Sequence, residues 1–471
     1  MSDCPDWGLL ISEAAHGPRE GLPDGARGEG SPERMNIRNC IDPKSLPDYG
    51  GLSLARSLSC AAGCVPEAKV SFDKVEIPYG AYWSTPFARW QGSLQHLHSL
   101  KLAAHVAKAE LQQRNVSPDV FDYGVLGLTI VQFQAFYGAP WPLYDIGLKH
   151  VAGPTVSQVC ATGARVLLNA ASEIQVGMAT TALAITADRV SNGPHIVYPA
   201  PGGPGGTAAS EDQVLYNFSH DPIGGHAMLQ TAENVAHKVG ITTEEQHDVV
   251  LMRHAQYGEA LKDDHAFQAR YMTLPFAVPK PNFKGEATIL KGDEGIHSTT
   301  AEGLAKLRPV LDGGSVTYGA QTHPADGNCA MIVTTPAKAR DLSRDPAIRV
   351  RILGFGQGRA DLGFMPEAPI VASRHALANA NLSIEDIRAV KSHNPFAVND
   401  IAFSRATGFP LERMNNFGCS LVWGHPQGPT GMRAIIELIE ELAIAGGGIG
   451  LFQGCAAGDS SVAAIIEVSD R

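Results

Sequence analysis

Four residues in this chain of 471 stand where their types and neighbours could do chemistry: Cys160, His393, His425 and Cys455. Cys160 runs into Ala-Thr-Gly-Ala-Arg and an apolar stretch of helical period, so it falls at a helix start, where unpaired N–H groups and the dipole favour a thiolate. That suits a nucleophile, but it equally suits a small buried hydrophobe, and position alone does not choose. His425 is set between Gly424 and Pro426, five residues before Thr430-Gly431-Met432-Arg433 opens a second apolar helix. Such a tight turn fits either a cap or an acid–base group. His393 follows the strand-like IRAV in Ser-His-Asn-Pro-Phe, and Cys455 stands in Gly-Cys-Ala-Ala-Gly-Asp. A lone histidine is usually a packed core residue, but two histidines and two cysteines at strand ends call for a common explanation.

The elements that must position them repeat. Thr162-Gly163-Ala164-Arg165 and Thr430-Gly431-Met432-Arg433 each lead into a helix-period run that ends near glycine, as a C-cap would. These two landmarks lie 268 residues apart. RNVSPDVFDYGVLG from Arg114 and ANLSIEDIRAVKSH from Ala380, aligned at Asn115 and Asn381, lie 266 apart. Each half therefore reads helix, loop, strand, chemistry-bearing turn, helix and apolar strand, the last being TALAITA from Thr181 and SVAAIIEV from Ser461. This alternation predicts α/β units on mostly parallel sheets, two of them stacked by duplication into a layered body. In such sheets ligands gather at strand ends and helix starts.

Four segments are expected: a flexible extension over 1–67 rich in Gly, Pro and charge; a first half over 68–199 and 313–340; an inserted lid over 200–312; and a second half over 341–471. In and near the insertion, Arg253, Lys262, Arg270, Lys280, Lys284 and Lys291 could form a basic patch for an anionic ligand, or could be ordinary solvated side chains.

Bulk composition narrows the class. With 44% hydrophobic and 18% charged residues the chain can bury a large core, and 50 glycines and 31 prolines fit a turn-rich enzyme. A net charge of −11 argues against nucleic-acid binding. No apolar run is long enough for a membrane helix and no signal peptide is evident, so a cytoplasmic protein is expected. The eight cysteines lack the spacing of a disulfide scaffold, and Cys60 and Cys64 lack the second short-spaced pair of a zinc site, so no metal is expected.

With CAT at Cys160, HNPF at His393, GHP at His425 and CAA at Cys455, the chain resembles the thiolase family, from about Val70 to its end. TAENVAHKVGITTEEQ, TTAEGLAKLRPVL and VTYGAQTHPADGNCAMIV resemble the family's loop and closing strand. The resemblance implies a five-layered α-β-α-β-α body with a large inserted loop domain. It implies a CoA-dependent acyltransferase, like an acetyl-CoA acetyltransferase, that makes or cleaves a 3-oxoacyl-CoA. Cys160 would carry the acyl group, His425 would activate it, Cys455 would move the α-proton, and His393 with His425 would stabilise one oxyanion. Backbone N–H groups of Cys160 and Ala457 would form the second oxyanion hole. Acyl-CoA and CoA would be substrates rather than a permanently bound cofactor, and the chain would form a homodimer or homotetramer.

Departures from the family text accompany the match. His393 replaces the asparagine of N-E-A-F, Ala457 replaces a glycine, Ala187-Asp188-Arg189 replaces a G-x-E segment, and Trp423 precedes Gly-His-Pro where a smaller aliphatic is common. Met228, Phe396 and Trp423 are the candidate acyl-pocket residues, with Met228 equally suited to the core of the lobe. Two alternatives stay open: a CoA-ester-binding subunit that works only with an accessory protein, and a 3-oxoacyl-carrier-protein synthase-like condensing enzyme. The final cysteine and the long insertion argue against the latter.

Overall fold

The computed structural model describes residues 71–200 and 202–471. The expected N-terminal extension over 1–67, with Cys4, Cys40, Cys60 and Cys64, lies outside them.

Two sheets form the body. The first contains β1 (Tyr82–Ser84), β2 (Ala88–Arg89), β3 (Tyr123–Gly127), β4 (Thr155–Val156), β5 (Thr181–Arg189) and β10 (Ala325–Thr334), in the order β1-β10-β5-β3-β4, with β2 also paired to β10. The second runs β11 (Ile348–Arg359), β14 (Ser460–Asp470), β13 (Gly448–Ala456) and β12 (Ala389–His393). The sheets are mixed rather than mostly parallel as expected, with antiparallel pairs outnumbering parallel ones, and the duplication is visible in the ladders. In the first sheet β3 and β5 pair parallel and β5 and β10 antiparallel. In the second, β12 and β13 pair parallel and β13 and β14 antiparallel. The apolar runs in β5, β10 and β14 are buried almost end to end, because both faces of each sheet are covered.

Helices supply that cover. Outside the first sheet lies α1 (Ser99–Gln113), against β5 and β10; outside the second lies α5 (Ala368–Ala380), against β11 and β14. Between the sheets sit the duplicated helices α2 (Thr162–Gln175) and α7 (Gly428–Ile444), each touching strands of both sheets and each other. The result is the layer order α-β-α-β-α. The two central helices meet backbone to backbone near their first turns. A Cβ on Gly163 would lie 2.4 Å from the Met432 nitrogen and 2.6 Å from the Gly428 carbonyl oxygen. Only glycine permits that approach.

Between β5 and β10 the chain builds two hairpins, β6 (His195–Tyr198) with β7 (Ala209–Asp212) and β8 (Phe276–Pro279) with β9 (Glu286–Leu290), and, beside shorter helical turns, the two long helices α3 (Met228–Val239) and α4 (Thr243–Ala260). Helix α4 starts with a capping box: Thr242 Oγ1 accepts from the Glu245 N–H, and Glu245 Oε2 accepts from the Thr242 N–H. This helix corrects one expectation. Arg253 is not part of a surface patch; it is fully buried, with Nε 2.9 Å from Asp400 Oδ2 and Nη1 donating to the Leu411 and Met414 carbonyls. Arg270 is likewise committed, to Glu440. Lys262, Lys280, Lys284 and Lys291 remain exposed.

Gly163→Ala should force the central helices apart and lower unfolding free energy by about 1–3 kcal/mol, the usual cost of overpacking. Urea unfolding checks it; unchanged stability would mean that the helix contact is slack.

Candidate active site

Cys160 sits two residues before α2, after Val159, whose φ of 48° is unusual for a β-branched residue. Cys160 is thus held at a strained turn. His425 follows Gly424, whose φ is +92° and where a Cβ would lie 2.8 Å from His323 Nε2. The His425 N–H donates to the His323 carbonyl at 2.8 Å, fixing the turn, and this explains the glycine of Gly-His-Pro. His393 ends β12 opposite Gly454 of β13, so strand register alone brings Cys455 beside it.

The four residues line one cavity of about 620 Å³ together with Met228 and Phe396. The Cys160 sulfur and one ring nitrogen from each of His393 and His425 lie within 4.8 Å of one another. Among the described residues they are the grouping that could hold a metal ion. The imidazoles stack with centroids 4.0 Å apart and planes 23° apart. Both Nε2 atoms are buried without a hydrogen bond, and both Nδ1 atoms are engaged. His425 Nδ1 meets Thr430 Oγ1 at 2.7 Å. For His425 Nε2 to take a proton, Nδ1 must carry one and donate it to Thr430.

His393 Nδ1 meets Ser420 Oγ at 3.0 Å, and Ser420 also lies 3.0 Å from Asn394 Oδ1. Asn394 Oδ1 is satisfied separately by the Leu421 N–H. Ser420 Oγ has one proton and two acceptors for it: given to Asn394 Oδ1 it leaves His393 Nδ1 as the ring donor, and given to His393 Nδ1 it places the ring proton on Nε2, a donor into the cavity.

Burial sets the resting charge states. It pushes the Cys160 thiol up to about 12, against the backbone N–H groups of Ala457 and Cys160, which hold it down. This corrects the expectation of a thiolate favoured by the helix start: desolvation outweighs the N–H groups, and the resting sulfur is a thiol. Burial also raises the Cys455 thiol, reinforced by the nearby Cys160, while Asn399 donates to its sulfur at 3.4 Å. Burial lowers His393 to about 3. It lowers His425 well below its ordinary value, helped by repulsion from His393 and His323.

Trp423 is not where the sequence suggests. It is fully buried outside the cavity, edge-on to Phe87 at 5.2 Å and with the Arg433 guanidinium 4.5 Å from its ring. The indole packs against a cation and cannot reach an acyl group.

Asp188, seen in the sequence only as a departure, has a visible task. Its carboxylate accepts from the N–H groups of Thr129, Ile130 and Gly428 and from the Thr129 hydroxyl, tying β5 to the start of α7. Burial nevertheless raises it to about 6. Ser420 and Asn399 are ordinary residues in the text of the sequence, and only their placement reveals them.

Comparison with known proteins decides the family. The family described as "Thiolase, N-terminal domain" matches residues 81–337, and "Thiolase, C-terminal domain" matches residues 347–468. The chain belongs to the thiolase family. An acetyl-CoA acetyltransferase of Chromobacterium violaceum is 30% identical over 401 residues, covering 83% of this chain and 100% of the relative. One from Allochromatium vinosum is 28% identical over 382 residues, covering 80% and 95%. The crystal structure of human mitochondrial 3-ketoacyl-CoA thiolase is similar with a TM-score of 0.77 and 27% identity, covering 84% of this chain and all of that one. A structure of the human thiolase in complex with CoA gives a TM-score of 0.75.

The depressed histidines make stability depend on pH in a fixed direction. Their folded-state affinities for protons lie below that of an unfolded histidine, so the unfolded chain binds more protons below about pH 6.5 and stability falls as pH drops. Urea unfolding from pH 7 to 5 should show a decline that is shallower in His393→Asn by up to about 1.4 kcal/mol per pH unit. A variant as pH-sensitive as the parent would show that His393 titrates normally.

Proposed function

We propose that this thiolase cleaves or forms 3-oxoacyl-CoA esters through an acyl-Cys160 intermediate. The carrying observation is the convergence of the Cys160 sulfur with two buried imidazoles whose Nε2 atoms have no other partner, in a cavity that also holds Cys455.

In the cleaving direction Cys160 attacks the 3-oxo carbonyl as its proton passes to His425 Nε2. A neutral imidazole can accept it, and its burial makes pre-formed charge unnecessary. The oxygen that gains charge lies by the N–H groups of Cys160 and Ala457, where a lost donor typically costs about 3 kcal/mol. The bond between Cα and Cβ then breaks, and the Cys455 thiol gives its proton to the Cα of the departing ester. Its raised proton affinity keeps that proton available. His393 Nε2–H faces the thioester oxygen of that ester and steadies the enolate. A CoA thiol next attacks acyl-Cys160, passing its proton to the Cys455 thiolate, and Cys160 leaves with the proton held on His425. Condensation is the same sequence reversed. Met228 and Phe396, on the cavity wall, would contact the acyl group.

The inserted segment between β5 and β10 would act as the lid, since α3 brings Met228 to the cavity. Self-association through the first sheet is supported by Phe133, Phe136 and Tyr137, which are 81%, 96% and 75% exposed between β3 and its edge neighbour β4. A homodimer or a larger homo-oligomer would cover them. No described helix is long and apolar enough to cross a membrane.

Intact-protein mass spectrometry after mixing with acetyl-CoA should show an acetyl adduct on the parent and none on Cys160→Ala. Cys455→Ala should still acylate but form no carbon–carbon bond. Equal adducts on the parent and Cys160→Ala would remove the nucleophile assignment, and normal condensation by Cys455→Ala would remove the acid–base one.

A further inference from the structure

The turn after Gly-His-Pro holds a residue that no motif singled out. Gln427 is 2% exposed, and its Oε1 lies 3.7 Å from the Cys160 sulfur, within reach of the thiol proton. Its backbone is also out of the ordinary. At φ 61° and ψ −105° it occupies a region that glycine adopts freely and other residues do not. The conformation is held from both sides: the next N–H, of Gly428, is anchored on Asp188, and the Gln427 carbonyl accepts from the Thr430 N–H at 3.1 Å. A strained position kept by its surroundings is one where function is worth seeking. Gln427 also lines a second cavity, of about 370 Å³, shared with Ala457, Val159 and Met228. It therefore touches both the Cys160 sulfur and this second cavity.

We propose that Gln427 is a catalytic residue of this chain, its amide contacting the Cys160 sulfur in both of its protonation states. In the resting thiol the S–H donates to Oε1, which aims the sulfur. When His425 has taken the proton, a half-turn about the last side-chain bond presents the amide N–H to the thiolate. No bond to Gln427 forms or breaks and it carries no proton away. A glutamine suits this because one neutral group offers an acceptor and a donor on the same short stem. The proposal rests on Cys160 being the nucleophile.

The test is Cys160 alkylation by iodoacetamide, located by peptide mapping, with rates followed from pH 7 to 10. Below the thiol midpoint the rate should climb about tenfold per pH unit, since it follows the thiolate fraction. Gln427→Leu should displace that line downward about tenfold, the loss of one hydrogen bond to a charged atom. Gln427→Glu should fall further, because a carboxylate still accepts from the thiol but repels the thiolate. Gln427→Asn tolerates the backbone angle and keeps an amide one carbon too short, so it should match Gln427→Leu while unfolding like the parent. Rates equal to the parent in all three variants would overturn the proposal. So would an equal loss in Leu and Glu, which is what a merely structural role gives. Alkylation needs no acyl-CoA chemistry, so it reads Gln427 even if no acyl adduct ever forms; failure of the acyl reading appears separately, in the parent protein's own adducts.

Discussion

The site depends on one close approach, the backbone contact between the first turns of α2 and α7. Gly163 and Gly431 let the two duplicated helices touch without side chains between them; a Cβ on Gly431 would lie 3.2 Å from the Phe452 ring and 3.4 Å from the Ala164 nitrogen. Cys160 precedes one of these helices and His425 the other. Duplication alone makes two equivalent turns in two separate sheets. The glycine contact brings them together across the middle layer, so that the Cys160 thiol from one half meets imidazoles from the other. A bulkier pair of helices would keep both motifs intact and still separate their side chains.

Burial then decides the chemistry. Two cysteines and two histidines enclosed together cannot be solvated, so each prefers its neutral form. Charge is instead concentrated nearby where it is fully compensated. Arg433, the last residue of the second Thr-Gly-x-Arg, makes a two-pronged bond to Asp293 at 2.6 and 2.7 Å and a third to Glu437 at 3.0 Å, with Lys391 and Tyr271 completing the Glu437 carboxylate. Trp423 and Phe87 lie against the guanidinium. Because Asp293 belongs to the segment between β5 and β10, this cluster fastens that segment to the helix that follows His425. Its counterpart in the first half, Arg165, bonds to Gln158 and Gln357 near the surface instead. The two halves share a fold and divide the work.

Much of this was legible in the sequence. The repeat of Thr-Gly-x-Arg and of the Asn115 and Asn381 segments carries the two-sheet body, because hydrophobic period and turn residues are local signals. Cys160, His393, His425 and Cys455 were legible as candidates because each stands at a strand end or helix start, and the structure brings the four to one cavity. Trp423 was misread, since an indole beside Gly-His-Pro looks like a pocket wall until the cation behind it is seen. The Cys160 protonation state was misread because a helix start is visible in sequence and the depth of burial is not. Ser420, Asn399 and Gln427 act through neighbours far away in the chain, and no spacing announces them.

Desolvation keeps the stacked imidazoles neutral, and the proposed reaction depends on it, with His425 accepting the Cys160 proton and His393 donating from Nε2. Nitrogen-15 NMR of histidine-labelled protein, with His393→Asn and His425→Asn to assign the signals, reads both rings directly across pH 5 to 8. Both residues should stay neutral over the whole range, with His425 protonated on Nδ1 and His393 on Nε2. A midpoint near 6.5 for either ring, or a charged imidazole at neutral pH, would contradict the account.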